Sequence, residues 1–191
     1  MTPLRGQLVL VVGPSGAGKD TLIDHARRRL GADQQFHFIR RTVTRPPAVG
    51  EDYETIDIAE FERRVKGGSF ALHWQAHDIF YGLPTVIRDW MARGGIVVAN
   101  GSRAAVPQAR SRFPDLHVVT IVVPPTIIAA RLRARGRETE AMIADRLARQ
   151  PSVEAVEIPT YEIDNSGSPE AGGEALIRIL LAIKSGRRSA P

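Results

Sequence analysis

The chain has 191 residues, a length that suits one domain with a full hydrophobic core. It has no cysteine, which excludes disulfides, thiolate metal sites and a cysteine nucleophile, and no apolar run approaches the roughly 20 residues that span a bilayer. The net charge of +5 comes almost wholly from arginine, whose planar fork suits bidentate contact with phosphate, so a phosphorylated ligand or a nucleic acid is favoured as partner.

After a short polar lead-in, the apolar run Leu8-Val9-Leu10-Val11-Val12 predicts a strand over 7–12. Leu22, Ile23, Ala26 and Leu30 then fall on one face, which predicts a helix over 19–30 ended by Gly31. Between them stand Gly13, Pro14, Ser15, Gly16, Ala17, Gly18, Lys19, Asp20 and Thr21, and a strand, a glycine-rich turn and a helix start in that order make a phosphate-binding loop. Gly13, Gly16 and Gly18 permit positive φ and close approach, so the loop amides can point at phosphate oxygens while Lys19 reaches the β- and γ-phosphates. Asp20 departs from the usual pattern, in which a hydroxyl residue serves magnesium at that place.

A second strand is expected over 36–40, followed by Arg40-Arg41-Thr42-Val43-Thr44-Arg45-Pro46-Pro47, a strand-to-loop exit that can meet an anion at the carboxyl edge of a sheet. Next come Gly50-Glu51-Asp52-Tyr53, a short helix over 58–67 with Phe61 and Val65 inward, and a small β-rich insertion over 68–74 and 80–82. Pro84 reads as the first residue of a helix to Arg93, then a buried strand spans 96–99 and Asn100-Gly101-Ser102-Arg103 follows at its end. A helix over 104–112 leads to a strand over 117–123. His73 and His77, near Trp74, either line a sugar site or pack locally; Trp74 and Trp90 read as packing residues, and no histidine spacing fits zinc.

Pro124-Pro125 opens an arginine-dense helical region broken at Gly136, with Arg131, Arg133, Arg135, Arg137, Arg146 and Arg149 between 126 and 151. Arg131 and Arg135 share a face, and like charges so placed repel by a few tenths of a kcal/mol unless an anion sits between them. The spacing serves a phosphate-clamping lid and a basic solvated helix pair equally. A last strand over 161–165, a turn at 166–169 and a closing helix over 174–184 complete the chain. The alternation of strands and helices predicts an α/β fold, a single doubly wound, mostly parallel sheet with helices on both faces.

Gly13 to Lys19, Thr44-Arg45-Pro46, Gly50-Glu51-Asp52-Tyr53, Phe80-Tyr81-Gly82 and Arg131-Leu132-Arg133-Ala134-Arg135-Gly136 resemble guanylate kinase in order and spacing. Three places depart from it. Ala48 stands where those enzymes carry another arginine, Leu72 where they place a base-reading glutamate, and Leu83-Pro84 where a hydroxyl residue usually follows the Tyr-Gly pair. Leucine offers no acceptor to guanine, and each polar group left unsatisfied costs about 1–3 kcal/mol. The loop with Asp20, the stretch Phe70-Ala71-Leu72-His73-Trp74-Gln75-Ala76-His77, Tyr81-Gly82-Leu83-Pro84 and Asn100-Gly101-Ser102-Arg103-Ala104 are more similar to the ribose 1,5-bisphosphate phosphokinases, relatives of guanylate kinase found in phosphonate breakdown.

That resemblance implies a P-loop kinase with an acceptor-binding insertion over about 36–83 and an arginine-rich lid over about 125–150. It implies a cytoplasmic enzyme that takes ATP, Mg2+ and a small phosphorylated sugar, with no nucleic acid and no membrane as partners; a homodimer is compatible with it. The reaction implied carries the γ-phosphoryl of ATP to the 1-phosphate of ribose 1,5-bisphosphate. The loop and Lys19 are assigned to the donor phosphates, and Arg131, Arg135 and, beyond them, Arg137 and Arg146 to lid contacts. Arg41, Arg45, Tyr53, Tyr81 and Arg103 are assigned to the acceptor, Asp20 to magnesium, and the stretch Asp164-Asn165 to adenine. The alternatives are a nucleoside monophosphate kinase with altered base preference and a catalytically silent guanylate-kinase-like binding module.

Overall fold

Gln7–Val12 (β1) has apolar side chains on both sides of its pleat, as a strand covered on both faces requires. In the computed structural model of the chain, which describes residues 6–47, 52–76, 78–136, 138–148 and 161–186 apart from the side chain of Arg146, β1 is the middle strand of five. Phe36–Phe38 (β2), Ile96–Asn100 (β7), Leu116–Val122 (β8) and Tyr161–Asp164 (β9) join it in the order β2-β7-β1-β8-β9, every pair parallel. Alternation along the strands divides the core. Val9, Val11, Val98 and Ile121 face Lys19–Leu30 (α1), Pro125–Arg135 (α5) and Pro169–Lys184 (α7), whereas Leu8, Leu10, Val12, Val97 and Val118 face Val86–Ala92 (α3) and Val106–Arg112 (α4). The expected doubly wound sheet is therefore present.

A second sheet stands on the α3 side. Its order is Tyr53–Thr55 (β4), Arg41–Val43 (β3), Ile79–Pro84 (β6) and Phe70–Ala76 (β5), with β3 and β4 parallel and the remaining pairs antiparallel. Because β2 pairs with β7 in the main sheet, the separate sheet takes in 41–84. Ile58–Lys66 (α2), opened by Asp57 accepting from the Glu60 N–H at 2.7 Å, packs Phe61 on its outer face against Phe70 and Phe80.

The structure corrects four element readings. The stretch read as a strand-to-loop exit contains strand β3 at Arg41–Val43, and β4 was not foreseen. Pro84 ends β6 opposite Phe70, and Thr85 precedes the helix. The segment after Asn100 begins as a 3₁₀ turn, Arg103–Ala105, before α4. The closing helix starts at Pro169, five residues early, with Ser168 Oγ accepting from the Ala171 N–H and proline at its first position.

Candidate active site

The loop between β1 and α1 turns through Gly13, Gly16 and Gly18 at φ 150°, 85° and 90°, a region side chains disfavour. Space is also short there: a Cβ on Gly13 would lie 2.6 Å from the Ile121 carbonyl oxygen, and one on Gly16 would lie 3.0 Å from Ile128 on α5. Lys19 Nζ donates to the carbonyls of Gly13 at 3.0 Å and Pro14 at 2.8 Å, closing the loop on itself. Ser15 and Thr21 are exposed, and Ala17 is buried. A residue of the stretch that sequence reasoning associated with adenine braces the loop. Asn165, only 2% exposed, donates Nδ2 to the Ala17 carbonyl at 2.8 Å, and Gly18 and Gly172 leave room for it.

The arginines of α5 separate into different roles. Arg131 donates Nη2 to the carbonyls of Asn165 at 2.7 Å and Gly167 at 3.0 Å, so backbone oxygens at the end of β9 meet its charge. Arg133 grips Glu140 of Glu140–Ala148 (α6) through two bonds of 2.7 Å, which holds the carboxyl below its ordinary range. Arg135 is exposed on the last turn of α5. Arg137, Arg149 and the side chain of Arg146 lie outside the described residues.

A cleft separates the first two turns of α1 from the second sheet, and Asp20, Ile23, Asp24, Arg27, Ile39, Arg41, Asp52 and Asn100 line it. At its inner end Asn100, 6% exposed, donates Nδ2 to Asp20 Oδ1 at 2.5 Å, while its own Oδ1 is buried without a hydrogen-bond partner among the described residues. Arg41 Nη2 lies 3.9 Å from the same Asp20 oxygen, and its guanidinium sits 5.4 Å over the Tyr81 ring. Tyr81 stacks in turn on Trp74, with the ring centroids 5.4 Å apart. Arg45 lies 4.9 Å over the Tyr53 ring and donates Nε to the Tyr53 hydroxyl, which itself donates to the Pro46 carbonyl at 2.6 Å.

The strand registers put Arg41, Tyr53 and Tyr81 on one sheet face, so three of the five expected acceptor residues share a wall and Tyr53 holds Arg45 beside it. Arg103 stands on the 3₁₀ turn that packs against β5. Sequence reasoning missed the outer end of the cleft. There Asp52 bridges Arg27 at 3.1 Å and Arg40 at 2.9 Å, and Asp24 lies one turn from Asp20. Asp20, Ile23, Asp24 and Arg27 follow the i, i+3, i+4, i+7 spacing of one helix face, a signal present in the sequence.

The opposite face of the second sheet is structural. Thr42 and Arg64 both donate to Glu54, and Arg63 and Arg64 to Glu60; these bonds depress both carboxyls, Glu60 to about 2. His73 meets Phe61 edge-on on that face, so its packing reading holds, and desolvation lowers its pKa. His77 lies outside the described residues. Leu72, on the cleft side, is fully buried in the core.

A parallel sheet whose first strand feeds a glycine-rich loop and a lysine, set against an arginine-lined cleft on a smaller sheet, defines a P-loop kinase. The guanylate kinase family model matches residues 5–166, and the solved guanylate kinase from Anaplasma phagocytophilum shares the fold, with a TM-score of 0.68 at 20% identity over 96% of this chain and 88% of that one. Over 180 residues the chain is 50% identical to ribose 1,5-bisphosphate phosphokinase PhnN of Acidiphilium cryptum, covering 94% of each. It is 44% identical to the protein of the same name from Brucella melitensis, covering 95% of this chain and 96% of that one. The chain belongs to the ribose 1,5-bisphosphate phosphokinase branch of the guanylate kinase family. Among the described residues no helix is long and apolar enough to cross a membrane.

Proposed function

We propose that the protein transfers the γ-phosphoryl group of ATP to the 1-phosphate of ribose 1,5-bisphosphate, giving 5-phospho-α-D-ribose 1-diphosphate and ADP. An oxygen of the 1-phosphate forms the new P–O bond as the bond to the β-phosphate oxygen breaks and ADP leaves with its electron pair. The names of the relatives support this reading, and one observation of the site carries it against a base-bearing acceptor. Leu72, where a guanine reader would stand, is 0% exposed and built into the core, whereas Arg27 and Arg41 line the cleft.

The acceptor is a phosphate monoester with a second pKa near ~6, so at neutral pH it is largely dianionic and needs no general base. Catalysis then rests on alignment and charge neutralisation. In this reading the loop amides hold the donor phosphates, and Lys19 turns from the Gly13 and Pro14 carbonyls to the β- and γ-phosphates. The sheet over 41–84 binds the acceptor: Arg41 meets the 1-phosphate beside Asp20, with Tyr81, Tyr53, Arg45 and Arg103 completing that wall. The helices over 125–148 act as a lid, Arg131 and Arg135 reaching the transferred group.

Among the described residues no three His, Cys, Asp or Glu side chains cluster as a metal site, which suits a magnesium ion held largely by nucleotide phosphates and water. The oxygens that fit it are the Asp20 carboxylate and the Oδ1 of Asn100, buried and unpartnered among the described residues. Bound with ATP, the ion would neutralise charge on the β- and γ-phosphate oxygens.

Phosphorus NMR of a reaction with ATP, magnesium and ribose 1,5-bisphosphate, run beside ADP-release assays with GMP, AMP and dTMP, tests the proposal. A new sugar diphosphate signal with equimolar ADP is expected. ADP release with a nucleoside monophosphate and none with the sugar bisphosphate would overturn it.

A further inference from the structure

The inner end of the cleft contains an arrangement that the phosphate-binding loop alone does not explain. Asp20 lies within reach of two groups with opposed demands: Asn100, whose amide holds Oδ1 at 2.5 Å, and Arg41, whose guanidinium approaches the same oxygen at 3.9 Å. Asn100 is the more rigid of the two anchors. It ends β7 opposite Val11, the next residue's N–H donates to the Val11 carbonyl at 2.8 Å, and a Cβ on Gly101 would run into Leu10 at 2.4 Å. Its Oδ1 is buried with no hydrogen-bond partner among the described residues, an acceptor left over for an ion or water.

We infer that Asn100 is the positioning residue of Asp20: from the end of the central sheet it holds the carboxylate at the donor side and keeps it from closing on Arg41. The inference rests on the reading of Asp20 as a metal-shell residue. Without the amide, the 3.9 Å ion pair with Arg41 tightens and draws the carboxylate toward the acceptor side. An asparagine suits the place better than an aspartate, because a second carboxylate 2.5 Å from Asp20 would repel it where the amide donates. One negative charge is thus shared between two positions, and exchanging the two residues preserves both the charge and the hydrogen bond.

The test measures Mn2+ binding to the enzyme–ADP complex by water proton relaxation, beside ADP affinity in the absence of metal. Asp20→Asn, which removes the carboxylate charge, and Asn100→Leu and the shorter Asn100→Ser, which remove the amide that holds it, are each expected to weaken Mn2+ binding about tenfold and to leave metal-free ADP affinity within about twofold, the size of one charge-assisted interaction. The exchange Asp20→Asn with Asn100→Asp is expected to recover to within about threefold of the parent. Unchanged Mn2+ affinity in both Asn100 variants, with Asp20→Asn weakened, overturns the positioning role and leaves the metal reading standing. An exchange variant that binds no better than Asn100→Leu also overturns it. Unchanged affinity in Asp20→Asn removes the metal reading and the inference with it.

Discussion

Asn165→Asp alters a single atom type at the brace of the phosphate-binding loop, and its cost can be worked from the geometry. The side chain is 2% exposed and its Nδ2 donates to the Ala17 carbonyl at 2.8 Å, with Gly18 and Gly172 pressed against it. An ionised carboxylate there would face a carbonyl oxygen in a site closed to water, so the cheaper course is to stay protonated and donate. Holding an aspartic acid protonated costs about 1.4 kcal/mol for each pH unit above its ordinary value of about 3.9, which is about 4 kcal/mol at pH 7 and about 1.5 kcal/mol at pH 5. The native state then binds one proton more than the unfolded state, so the variant loses stability as pH rises. Urea unfolding of variant and parent, followed by Trp74 and Trp90 fluorescence at both pH values, should show a deficit larger by about 2.7 kcal/mol at pH 7. A deficit of equal size at the two pH values, or none, would refute the assignment of Asn165 as the donor to the loop.

Lys19→Ala should lower kcat at least about a hundredfold in an ADP-release assay while thermal unfolding stays near that of the parent, because the lysine's two bonds here are to loop carbonyls. Leu72→Glu should not create guanylate kinase activity; losing a fully buried leucine and burying a carboxyl in its place should cost about 4 kcal/mol or more, read as a fall in Tm, and a stable variant that phosphorylates GMP would contradict the reading of the cleft. Glu60, held at about 2 by Arg63 and Arg64, adds stability above the ordinary glutamate range that is lost as pH falls toward 2. Thermal unfolding of Glu60→Gln should therefore fall short of the parent at pH 7 and converge with it between about 4.5 and 2.

The phosphate-binding loop and α1 were legible because their signals are local: alternate glycines, one lysine, and apolar residues at helical spacing closed by Gly31. Strands β3 and β4 were not. Each is three residues long, and β3 exists by pairing Thr42 with Gly82, a partner no local pattern can indicate. The start of α7 was misread for a related reason. Ser168-Pro169 is a good helix opening, but Gly172-Gly173 reads as a break until the fold shows Asn165 and His25 occupying the space their missing side chains leave. The cleft was half legible: Arg41, Arg45, Tyr53 and Tyr81 belong to recognisable motifs, while Arg27 and Asp24 looked like ordinary polar residues of α1 until the second sheet came to face them.

The odd-even division of β1 makes one strand the partition between two separately packed halves of the core. Val9 and Val11 belong to the half of the core under the phosphate-binding loop, with Ala17, Ile128 and Leu132; Leu8, Leu10 and Val12 belong to the half under the second sheet, with Leu72, Trp74 and Leu83. A substitution at an even-numbered position of that strand therefore disturbs the packing beneath the second sheet first, and one at an odd-numbered position the packing beneath the phosphate-binding loop.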